Sequence, residues 1–202
     1  MDAYPYYKQA RDRAWQALID CGINRLPIYL NLIANYYRIK LITYSRYPLT
    51  RLFKPDALEG DGFIVIINNR KTIFLNDQIK TRGRRRFTVG HELGHGLLNH
   101  PLEEIIFRNS EIDSKDNPLE MQANVSSRDI LAPACILRAL NVTTPEEIMR
   151  ICRLSRVSSE IRLSRLNMLI ARDAFFKSPL ERQVYVNFKE YIINMGGKYE
   201  LH

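Results

Sequence analysis

Between Phe87 and His100 the chain reads FTVGHELGHGLLNH, and no other stretch limits the possible folds so tightly. Val89, Leu93 and Leu97 recur every four residues, the spacing of one helical face. The same helix must then carry His91 and His95, also four apart, with Glu92 between them. It must also carry Gly90, Gly94 and Gly96, each costing about 1 kcal/mol relative to Ala in a helix interior. A helix that exists only to pack would rarely accept three. Either another backbone comes close, or room is kept for an ion and a substrate. Two imidazoles one turn apart can grip one zinc ion. Glu92, rotated by one residue, reaches beside the ion rather than onto it. This is the HExxH arrangement: two ligands and a general base. The competing reading, two core histidines satisfied by carbonyls, leaves Glu92 and the glycines without a purpose.

A catalytic zinc takes a third protein ligand and leaves one position open. His100 lies five residues beyond His95 and lacks the glycine turn that precedes a third histidine six residues on. It is expected to be structural or to face the substrate, and His100 or a tyrosine could stabilise an oxyanion. The next helix, DNPLEMQANVSSRDILAP, offers Glu120, with Asn124 one turn later as a hydrogen-bond partner for a ligand histidine. Glu120 also sits three residues after Asn117, so a capping-box role competes. Asp113 and Asp116 precede the cap and are weaker candidates.

The remaining chain reads as α+β. Apolar spacing predicts a helix after Pro5 and another from Pro27 to about Tyr36. RIKLITY alternates as a strand, and GFIVIINNRKTIFLN reads as a hairpin around Asn68-Asn69-Arg70-Lys71. The metal helix runs from about Arg84 to Leu98. Further helices follow: one from Asn117 to Pro133, one with a capping box at Thr144–Glu147, one capped by Ser158, and one from Pro179 to Met195. Helices, a small sheet, then many helices is an α+β order. We expect a core over residues 1–135 and a helical region over 136–202 packed on it.

The 202 residues carry 30 Lys and Arg against 22 Asp and Glu. That excess favours an acidic partner or nucleic acid without choosing between them. The longest run of large apolar residues, FIVII, is far too short for a bilayer, and the N-terminus is not a basic-then-apolar leader. A cytoplasmic location and no membrane partner are expected. Cys21, Cys135 and Cys152 are scattered and form no CxxC, so neither a disulfide framework nor a cysteine metal site is expected.

RRRFTVGHELGHGLLNH followed by EMQAN and RDILAP resembles the ImmA/IrrE family of metallopeptidases. GDGFIVIINNRKTIFLN is similar to that family's short hairpin, and RLSRVSSEIRLSRL to its downstream segment. The likeness spans roughly residues 5 to 190. It implies a zincin-like fold with a small, mostly antiparallel sheet and an HExxH active-site helix. It further implies one zinc ion on His91, His95 and Glu120, with Glu92 as catalytic base. The implied substrate is a protein, a helix-turn-helix repressor of a mobile element or stress regulon. The chain departs from the family at Val125-Ser126-Ser127, where Phe-Ala-Ala or Phe-Ala-Arg is usual.

Two features compete for other roles. KTRGRRR places Arg82, Arg84, Arg85 and Arg86 at the start of the metal helix, where positive charge opposes the helix dipole. The run is either a solvated loop or a docking patch for an acidic substrate or DNA. IMRICRLSRVSSEIRLSRL is a helix pair with Arg156, Arg162 and Arg165 that would suit a helix-turn-helix. The alternative function is therefore a non-catalytic regulator that binds DNA or a repressor, its metal site structural or vestigial.

Overall fold

The computed structural model describes residues 4–46, 60–102 and 117–200; Asp113 and Asp116 lie outside them. Helix α1 (Tyr4–Asp20) buries Ala10, Ala14, Trp15, Ala17 and Leu18, a stripe at helical spacing. Helix α2 is Leu30–Tyr36, three residues shorter at its start than the apolar pattern suggests. Strand β1 (Lys40–Thr43) follows, then β2 (Gly62–Ile67) and β3 (Arg70–Leu75).

The sheet order is β1-β3-β2. β2 and β3 pair antiparallel, with Phe63 opposite Phe74 and Ile64 opposite Ile73. β1 joins β3 in parallel. The sheet is therefore mixed, with the antiparallel ladder the longer of the two. The hairpin link is tighter than expected. Asn68 (φ 50°) and Asn69 (φ 59°) alone make the turn, as a two-residue hairpin with left-handed central residues requires. Arg70 and Lys71 already belong to β3.

Alternation divides the sheet's two faces. Ile64 and Ile73 join the main core beside Leu93 and Leu97 of helix α3 (Arg82–Leu98). Phe63, Val65 and Phe74 form a second cluster on the opposite face, with Ile42, Tyr44 and Ile67 against it. Helix α4 (Pro118–Leu131) packs on both α3 and α1. These are the layers of an α+β, zincin-like fold.

Pro133 ends the run after α4, but the chain turns at once into a short helix, α5 (Ala134–Ala139), that the sequence does not announce. α6 (Pro145–Cys152) starts with the expected capping box of Thr144 and Glu147. α7 (Arg156–Ala171) is capped by Ser155, whose side chain accepts from the Ser158 N–H, so Ser158 lies inside the helix rather than capping it. α8 (Pro179–Asn187) and α9 (Lys189–Asn194) replace one expected helix. A single apolar cluster runs from Ala14 to Ile192 and crosses residue 135 without a break.

Candidate metal centre

Helix α3 can carry Gly90, Gly94 and Gly96 because a second helix and the sheet press on it. A Cβ at Gly94 would stand 3.1 Å from Ala123 Cα and 3.0 Å from Ser126 Cβ of α4. One at Gly90 would stand 2.6 Å from Ser127 Oγ, and one at Gly96 would stand 2.9 Å from Ile64 Cδ1 of the sheet. The glycines thus serve close approach rather than an ion. Ser126 and Ser127 supply the small facing side chains, so their departure from the family pattern still leaves the crossing tight. Both hydroxyls are spent on backbone carbonyls, of Ala10 and Phe87 respectively.

That crossing brings Glu120, in the first turn of α4, onto His91 and His95. Glu120 Oε2 lies 3.0 Å from His91 Nε2, and Oε1 lies 3.4 Å from His95 Nε2. The two Nε2 atoms are 3.0 Å apart. Ligand atoms about 2.0–2.1 Å from a tetrahedral ion stand roughly 3.3 Å from one another, so the spacing fits. Among the described residues this trio forms the one His/Cys/Asp/Glu group convergent enough for a metal. Asn117 caps α4 through the Leu119 N–H. The Glu120 carboxylate, the competing cap, instead faces the histidines.

The rear of each imidazole is also held. His91 Nδ1 lies 2.9 Å from Asn124 Oδ1. His95 Nδ1 lies 2.9 Å from His100 Nδ1, and His100 Nε2 lies 3.1 Å from Gln122 Oε1. His100 reaches back because Asn99 closes α3 in the left-handed conformation, φ 55°. Lys71 Nζ, donating to Gly96 O at 2.5 Å, and Arg13 Nε, donating to Leu97 O at 2.9 Å, cover the last carbonyls of the helix with positive charge. His100 is thus behind the centre rather than in it. Gln122 is a residue the sequence reading missed. Its partner lies 22 residues earlier, and no spacing rule links them.

Charge is distributed unevenly over the trio. Burial opposes charge on Glu120, yet both histidines hold its carboxyl far below the usual range. Burial also works against protonation of both rings. At His91 the carboxylates of Glu120 and Glu92 outweigh it, and the pKa rises. At His95, fully enclosed and repelled by His91, it falls. His100 is pushed down to about 4 by burial and by His95, so it is neutral at neutral pH.

Glu92 is 5% exposed, and its Oε2 is buried with no hydrogen-bond partner among the described residues. Burial lifts its pKa to about 7, with His91 pulling down and Glu120 pushing up. The Ile64 backbone on β2 also draws its pKa down. An orphaned buried carboxylate oxygen beside three convergent donors fits a site built to hold an ion and to move a proton.

The arginine run is largely occupied. Arg84 pairs with Asp61, Arg85 donates to the carbonyls of Asp77 and Ile79, and Arg86 donates to Ile28 O. Arg82 is exposed. In the C-terminal helix pair, Arg162 is 1% exposed and donates to Ala132 O and Asp129 Oδ1. Arg156 pairs with Glu146, and Arg165 is exposed. No helix among the described residues is long and apolar enough to cross a membrane.

A family model described as the IrrE N-terminal-like domain, Peptidase_M78, matches residues 48–167, more than half of the chain. No curated protein is similar enough to match. Helices α1, α2, α8 and α9 lie outside the matched span.

Proposed function

The chain belongs to the peptidase M78, IrrE N-terminal-like family, and from that premise we propose a zinc-dependent endopeptidase. The reading rests on one juxtaposition: the unpartnered Glu92 oxygen beside the His91–His95–Glu120 donor set. His91 and His95 would hold the ion through Nε2, and Glu120 through its carboxylate. Zinc, when bound, supplies a Lewis acid for the scissile carbonyl and makes water acidic enough to ionise near neutral pH.

The chain's own groups do the rest. Glu92, with a pKa near neutrality, takes a proton from water and later delivers it to the leaving amine. Among the described residues β2 is a terminal strand of the sheet, and an extended substrate can align along it by adding a strand. Asn124 and His100 orient the ligand imidazoles from behind. His100's enclosed position favours this role over oxyanion stabilisation. Residues 1–135 carry this chemistry and residues 136–202 buttress it.

The protein substrate we assign is a helix-turn-helix repressor of a mobile element or stress regulon, following the family resemblance, in the cytoplasm. The test is incubation with purified helix-turn-helix repressors. Cleavage that needs zinc, stops with chelator and is lost in Glu92→Gln supports the reading. An uncut partner under zinc-replete conditions refutes the substrate assignment.

A further inference from the structure

We propose that His100 is a positioning residue: held by Gln122 and the backbone of α1, it obliges His95 to present a bare Nε2 to the metal. The proposal rests on the metal centre just described. Its logic starts at a group whose role is unambiguous. The Tyr6 carbonyl can only accept, and Gln122 Nε2 lies 3.1 Å from it and 2.9 Å from Gln9 Oε1. The Gln122 amide is thereby turned so that its Oε1 faces His100 Nε2. An oxygen there accepts, so the proton of the His100 ring sits on Nε2 and its Nδ1 carries a lone pair. That lone pair faces His95 Nδ1, which must then carry the proton of its own ring. His95 Nε2 is left bare, directed at Glu120 and His91.

His91 reaches the same state in one step, through the Asn124 oxygen. His95 depends on a longer relay that ends on a helix outside the family match. α1 is fixed to α4 by neighbouring bonds as well, Ser126 Oγ to Ala10 O and Arg128 Nη2 to Tyr7 Oη. Seating α1 on α4 therefore selects the tautomer of a ligand on α3.

The experiment is ¹⁵N NMR of the imidazoles in the metal-free full chain, with zinc affinity measured in parallel by chelator competition. In the unmodified chain His95 is expected to be protonated at Nδ1 and His100 at Nε2. Gln122→Met should mix the tautomers of both rings. His100→Ala should weaken zinc binding about 10- to 100-fold. His100→Asn, whose Oδ1 takes the place of Nδ1, should keep most of the affinity. A purely structural role for His100 would lower thermal stability and leave the tautomers unchanged. Protonation of His95 at Nε2, or undiminished zinc affinity in a folded His100→Ala, overturns the proposal. If His100→Ala does not fold, Gln122→Met carries the test through the tautomers. The assigned tautomers in a chain that binds no zinc would refute the peptidase reading and leave the relay standing.

Discussion

At Glu92 a buried oxygen is left without a partner among the described residues, an arrangement that costs stability unless a proton or substrate uses it. Glu92→Gln should keep the donor trio and hence the metal, while hydrolysis of a protein substrate falls about 10²- to 10⁴-fold. Zinc content and initial rates measured on one preparation check this, and a variant that loses metal as well would make Glu92 a ligand. The residue scale is also where legibility divides most sharply. His91, Glu92 and His95 are readable because one helical turn relates them. Glu120 is 25 positions beyond His95, and a capping role competed with the ligand role until the resemblance weakened it. Gln122 carried no signal, since its meaning arises only when Asn99 turns His100 back beneath the helix.

At the level of elements, the crossing of α3 and α4 decides whether the centre assembles. Alanine is the better helix former by about 1 kcal/mol, yet Gly94→Ala should be net destabilising by about 1–3 kcal/mol, the usual cost of overpacking. Its Cβ would meet Ala123 backbone atoms at 3.1 Å, and a helix backbone gives way less readily than a side-chain end. Gly83→Ala should cost more, because its Cβ would fall 2.3 Å from Ser155 N and 2.6 Å from Leu154 C in the α6–α7 turn. Urea unfolding of both variants tests the order, and a neutral Gly83→Ala would contradict the packing described. Gly83 sits inside a run that reads as exposed charge, yet the run is the place where α3 docks against the C-terminal helices. The elements that escaped the sequence have similar causes. α5 is too short to show periodicity, and Ser155 and Ser158 are equally good caps until the turn geometry chooses one.

Buried charge also links elements across the apolar core. Asp129 of α4 meets Arg162 of α7 at 3.0 Å and Arg128 at 3.0 Å. Burial would raise the Asp129 pKa, but the two guanidiniums hold it below the ordinary value. Its stabilising contribution is therefore complete above that ordinary value and is lost as pH falls. Removing one partner of such a pair costs about 3–5 kcal/mol, so Asp129→Ala should unfold at markedly lower urea than the parent chain. An unshifted midpoint would show that the pair contributes little.

Glu181 has the opposite sign. It is 4% exposed and accepts from the Phe176 N–H at 2.6 Å, and burial lifts its pKa to about 7. Between about pH 4.3, the usual glutamate value, and pH 7, the native state holds a proton that the unfolded chain has released. Stability therefore falls across that window as pH rises. Glu181→Gln should gain on the parent from pH 5 to pH 8 in thermal melts, and a constant difference would contradict the buried carboxyl. Such ties, like the continuous core across residue 135, are invisible in sequence because they join α1, α4 and α7 at separations that no local pattern reports.

The central proposal is that donors from α3 and α4 hold one ion. Equilibrium dialysis against zinc, run on the intact chain and on Glu120→Ala, addresses that most directly. It should return one zinc per chain, with affinity reduced about 100-fold or more in the variant. A chain that retains no zinc, or a Glu120→Ala variant that binds it as tightly as its parent, would contradict the centre described.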